Sequence, residues 1–79
     1  METQKYHLVK NPKMAKELAF IYVKYTYGNE NAQSQKPYSI SENNNLWKIE
    51  GKQPETQGGN FTILISKGDG RVLDITHTK

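Results

Sequence analysis

His7 and His77 are the chain's two imidazoles and its first candidates for acid–base chemistry or metal ligation. Either role needs them to meet, with a carboxylate beside them. They stand near opposite ends of the chain, and no HExxH-type spacing surrounds them, so two separate surface histidines are expected. Gly58-Gly59 and Lys67-Gly68-Asp69-Gly70 have the composition of a phosphate cradle. A Walker loop, however, runs from a strand into a helix opened by Lys-Ser/Thr. Here the glycines start and join segments that alternate like strands, so backbone turning is their expected use. Asp69 and Asp74 lack the twelve-residue acidic pattern of a calcium loop. Ser34, Ser39, Ser41 and Ser66 have no nucleophile-elbow context. With no cysteine in the sequence, disulfides, thiol nucleophiles and Cys-ligated metals are excluded. These residues point to no enzyme and to no cofactor or metal.

The elements that would carry such residues are few. Seventy-nine residues make one small domain, 1–79, which hides only about 60% of the surface its unfolded chain exposes. Apolar packing alone must hold it. Mean hydropathy is −0.87, which leaves no room for a transmembrane helix. No apolar h-region follows the first residues, so no signal peptide is expected and the cytoplasm is the default location. Net charge is +3, spread evenly along the chain. Arginine, the preferred base-reading side chain, occurs once, at Arg71. Neither nucleic acid nor membrane is an expected partner.

Residues 1–10, with Tyr6, Leu8 and Val9 among polar neighbours, read as a tail or a short strand. Asn11 is a good N-cap and Pro12 suits the first helical position. A helix is expected over 11–28, with Ala15, Leu18, Ala19, Tyr22 and Tyr25 on one stripe and Gly28 as its stop. Residues 29–36 read as a loop. Four strands follow within 37–77. In the first, Tyr38 and Ile40 alternate with serines. Asn43-Asn44-Asn45 turns into the second, where Trp47 and Ile49 oppose Lys48 and Glu50. Phe61, Ile63 and Ile65 share a face of the third. An Asp-Gly turn leads to the fourth, where Leu73 and Ile75 would face inward and Val72 and Asp74 outward. The expected fold is α+β: one N-terminal helix packed on a four-stranded antiparallel meander.

The second half of the chain resembles a known family. Lys36-Pro37-Tyr38-Ser39-Ile40, Leu46-Trp47-Lys48-Ile49-Glu50-Gly51, Pro54, Gly58-Gly59, the run Phe61 to Leu73 and the closing Thr76-His77-Thr78-Lys79 look like the small bacterial immunity proteins with a nuclear transport factor 2 fold. Ala15, Ala19, Tyr22 and Gly28 extend the likeness into the helix. Glu50, Gln53 and Asn60 depart from the family pattern, all at strand ends or in a loop. The resemblance implies a cystatin-like, reduced form of that cone-shaped fold. It also implies a protein that neutralises a cognate toxin of a polymorphic toxin system by stoichiometric binding. A monomer or weak homodimer is expected. The alternative is a small-ligand-binding, or weakly enzymatic, member of the wider fold with a pocket between helix and sheet.

The resemblance supplies no contact residues, so these come from the patterning alone. The outer sheet face would show Lys48, Glu50, Thr62, Leu64, Val72 and Asp74, two apolar side chains inside a charged rim. Tyr22, Tyr25 and Tyr27 cannot all face the core, and Tyr27 is the one expected near solvent. An exposed tyrosine suits a protein interface. These seven residues (Tyr27 and the six on the sheet) are the expected partner surface.

Overall fold

The computed structural model describes residues 7–53 and 58–78. Tyr6, Pro54 and Lys79 lie outside them. Asn11 caps the first helix, its Oδ1 accepting from the Met14 N–H at 2.9 Å, and Pro12 opens it. Helix α1 is Pro12–Tyr27. It ends where the Gly28 N–H donates to the Lys24 carbonyl at 3.0 Å. Gly28 has φ +102°, a conformation that only glycine adopts readily.

The chain then forms a second helix, α2 (Asn29–Ser34), where a loop was expected. Polar residues cover all of it except Ala32, its one buried residue. With so little apolar repeat, the sequence carries no amphipathic signal to read. What holds α2 is specific bonding. Asn31 Nδ2 donates to the Tyr27 carbonyl at 2.8 Å, and the Tyr38 hydroxyl donates to the Ala32 carbonyl at 2.6 Å.

The four strands are β1 (Ser39–Asn43), β2 (Leu46–Glu50), β3 (Phe61–Ser66) and β4 (Val72–His77). They pair in the order β1-β2-β3-β4, each antiparallel to the next. The meander over one helix is as expected. Asn44 takes φ +54° in the first turn, which asparagine tolerates. In the β3–β4 turn Asp69 Oδ1 accepts from the Arg71 N–H at 3.1 Å. That bond holds the Asp69 carboxyl below the usual carboxylate range.

Alternation sends Trp47, Ile49, Phe61, Ile63 and Ile65 to one face, where all are buried. Ala15, Ala19 and Val23 meet them from α1. Burying each of the large side chains is worth about 1.5–3 kcal/mol before chain entropy is counted. Val23 continues the row 15, 19 by one more step of four and replaces Tyr25 on the expected stripe. Each such step turns the helix about 40° past a full turn. By the last turn the covered side has rotated onto Tyr27 and away from Tyr25, which is 79% exposed.

The fourth strand corrects a second expectation. Ile63 pairs with Ile75 and Leu64 with Asp74, but Ile65 pairs with Val72. Leu73 is the unpaired extra residue of a β-bulge. Parity therefore changes at Leu73. Val72 packs against the core, and Leu73 is 45% exposed.

The N-terminal segment is held rather than loose over residues 8–9. The Leu8 and Val9 N–H groups donate to the Gly68 and Lys67 carbonyls at 3.1 and 3.0 Å. Trp47 Nε1 donates to the Val9 carbonyl at 3.0 Å, and Val9 itself is fully buried.

At the other end of the sheet Gln35 ties four segments together. Its Oε1 accepts from the Phe61 N–H at 2.9 Å, its carbonyl accepts from the Lys52 N–H at 2.7 Å, and its Nε2 faces His77 Nε2 at 3.0 Å. Gly51 makes this possible. A Cβ there would collide with Gln35 Oε1 and stand 2.7 Å from Phe61 Cε2. Gly51→Ala should therefore cost about 1–3 kcal/mol, an overpacking penalty. Gly68→Ala, whose Cβ would meet nothing nearer than Ser66 Oγ at 3.7 Å, should stay within about 0.5 kcal/mol. Urea unfolding followed by Trp47 fluorescence reads both.

Candidate functional site: the open sheet face and the helix groove

The two histidines do not meet. His7 precedes Leu8, which is bonded at the β3–β4 turn, whereas His77 pairs with Phe61 at the far end of β4. The length of the strand, about 17 Å, separates those positions. His77 is half-buried rather than a lone surface residue. Gln35 Oε1 is already an acceptor, so Gln35 Nε2–H donates to His77 Nε2, and Nδ1–H of the neutral ring donates to the Thr78 carbonyl at 2.6 Å. Tyr27 leans on the same ring, centroids 4.9 Å apart. The imidazole is occupied in joining strand end to helix end.

The glycines act through backbone. Gly58 has φ +106°, and a Cβ on Gly59 would run into the Thr78 carbonyl. Among the described residues no group of three or more His, Asp or Glu is placed to hold a metal ion. The space between helix and sheet, where the ligand-binding alternative needs a pocket, is filled by the fully buried Ala15, Ala19, Val23, Phe61 and Ile63.

What stands open is surface. The outer sheet face follows from the register. Across the strands Ser41, Lys48, Leu64 and Asp74 fall in one row, and Glu50 and Thr62 lie opposite each other in the next. Leu64 thus sits between a lysine and an aspartate. Leu46, which the sequence reading did not place here, is its diagonal neighbour. Together they floor a shallow concavity of about 660 Å³. The ionic groups of this face are Glu50 and Asp74 against Lys48; Glu42, opposite Trp47 in the register, is paired with Lys67 Nζ at 2.7 Å. Lys48 Nζ lies 3.9 Å from Glu50 Oε2 with both side chains nearly half exposed, a pair worth little.

Of the seven expected contact residues, Lys48, Glu50, Thr62, Leu64 and Asp74 are brought together on this face. Val72 is not, because the bulge turns it to the core side. Tyr27 is not, because it packs on the helix side against His77. Leu46 was legible in principle, since it alternates with Trp47 and must point away from it.

A second opening lies along α1. Lys13, Lys16, Glu17, Phe20 and Ile21 face Lys36, Pro37 and Tyr38 across a groove of about 500 Å³. The sequence reading assigned no role to this side of the helix. The Tyr38 ring meets Phe61 edge-on at 4.8 Å, and burial pushes its phenol up to about 12.

The family model for NTF2 fold immunity proteins matches residues 14–79. The chain belongs to that family. It is also similar to two uncharacterized proteins of Escherichia coli (strain K12). It is 48% identical to YhhH over 75 residues, covering 92% of this chain and 59% of YhhH. It is 48% identical to YbbC over 73 residues, covering 90% of this chain and 60% of YbbC. The chain thus spans about three-fifths of the length of these curated relatives. No solved structure matches. No helix among the described residues is long and apolar enough to cross a membrane.

The raised Tyr38 phenol sets a pH dependence for this immunity protein. Between its ordinary value near 10 and about 12, the unfolded chain releases the proton and the native one keeps it. The native state then binds more protons, so stability falls as pH rises through that window. Urea midpoints at pH 9 and pH 11.5 should fall farther apart for the natural protein than for Tyr38→Phe.

Proposed function

We propose that this immunity protein neutralises one cognate protein toxin in the cytoplasm by one-to-one occlusion, with the outer sheet face as its contact surface. The match to the immunity family over residues 14–79 carries the reading. Two features of the molecule support it. The sheet has one face covered by α1 and the other open. The open face pairs an apolar centre, Leu46 and Leu64, with a charged rim of Lys48, Glu50 and Asp74. That is the composition expected of a small contact patch with a drier middle. Thr62 completes the patch beside Leu64.

Occlusion needs only surface fit, so protection should scale with the amount of immunity protein and saturate at one equivalent of toxin. Cells expressing the toxin encoded beside this chain should survive when the chain is co-expressed. Leu64→Arg should weaken toxin binding by tenfold or more, on the order of a truncated hot spot, and shift the protection curve to match. Leu64→Thr should leave the urea midpoint nearly unchanged, since Leu64 is only part-buried, whereas Ile63→Thr should lower it sharply. Loss of protection without loss of fold is the expected signature. Unaltered survival with Leu64→Arg would remove the sheet face from the contact, and no survival with the natural protein would end the toxin reading.

A further inference from the structure

Helix α1 has a second face that the sheet does not cover. Lys13, Lys16, Glu17, Phe20 and Ile21 recur at helical spacing along it, and Ile21 is 47% exposed. Opposite stand Lys36 and Pro37, with Tyr38 as floor. The groove has an apolar base and a cationic rim, three ammonium groups against the single carboxylate of Glu17. None of the three lysines makes an ion pair among the described residues. The charge balance is the reverse of the open sheet face, where the two carboxylates of Glu50 and Asp74 stand against Lys48.

We infer that this groove docks an extended acidic segment of a protein, with one bulky apolar side chain seated on Ile21 and Pro37 and flanking carboxylates on Lys13, Lys16 and Lys36. From Lys13 to Ile21 the helix rises about 12 Å, the length of about four extended residues. Charge complementarity selects an acidic occupant. The arrangement disfavours nucleic acid, because the Lys36 ammonium already sits over the Phe20 ring, 4.4 Å from its centroid, where a base would stack. A concave groove also keeps Phe20 and Tyr38 from reaching into a bilayer. The site is separate from the sheet face and stands independently of the toxin reading.

The test uses the full chain and a fluorescein-labelled pentapeptide with phenylalanine at its centre and aspartate or glutamate at the other four positions. Anisotropy should show saturable binding, weakened about tenfold on raising salt from 0.05 to 0.5 M, as screening of exposed charges requires. Lysine in place of the acidic residues should abolish it. Lys13→Glu/Lys36→Glu, both at exposed positions, should lose about tenfold or more, and amide shifts on titration should gather at residues 13–21 and 36–38. Equal binding of the basic peptide, insensitivity to salt, or shifts centred on β2 and β3 would overturn the inference. So would tighter, Lys13- and Lys36-dependent capture by phosphatidylserine vesicles or by oligothymidylate, which would make the occupant a membrane or a nucleic acid. Leu64→Arg should leave peptide binding intact while weakening toxin binding, so failure of either reading is visible without the other.

Discussion

Two alanines govern the architecture. Ala15 and Ala19 let the axis of α1 come close to β2 and β3, because neither side chain extends beyond a methyl group. Val23 and Tyr27 continue the same row with larger groups as the helix runs past the sheet. A row with a four-residue step is inclined to the helix axis, and that inclination decides which residues of the last turn are covered. Larger side chains at 15 or 19 would lift the helix off Ile49 and Ile63, and a chain of this size has no second layer to compensate. One helix of sixteen residues can cover one face of a four-stranded sheet. The opposite face must meet water or a partner.

The open face and the groove follow from that one-sided coverage. Both are margins of a single core, yet they differ in sign. Carboxylates outnumber ammonium groups by one on the sheet side, and ammonium groups outnumber carboxylates by two in the helix groove. A net charge of +3 hides this division, because summation over the chain discards position. Such polarity orients the approach of any charged partner before contact forms.

Much of this was readable from residue order, and the exceptions have physical causes. The Asn11 cap, the Pro12 start, the Gly28 stop and the four strands with their Asn and Asp-Gly turns all rest on local chemistry, and the chain obeys it. Period-two alternation placed Trp47, Ile49, Phe61, Ile63 and Ile65 correctly. It failed in β4, since one inserted residue reverses parity and nothing in Val72-Leu73-Asp74 announces the insertion. Helix α2 was hidden because hydrogen bonds to Tyr27 and from Tyr38 hold it, not an apolar stripe. Gln35 was hidden for the same reason. A glutamine in a polar run gives no hint that it will be 1% exposed and bonded to β3. Val23 could have been found by continuing the row from Ala15 and Ala19.

The bulge at Leu73 has one more effect. β4 is an edge of the sheet, and an edge with regularly spaced N–H and C=O groups invites another strand to join it. At Leu73 that spacing is broken, and the local twist increases. An incoming strand in continuous register would meet a gap in the ladder near the start of β4. The residue that looks misplaced for packing thereby interrupts this edge as a template for a further strand.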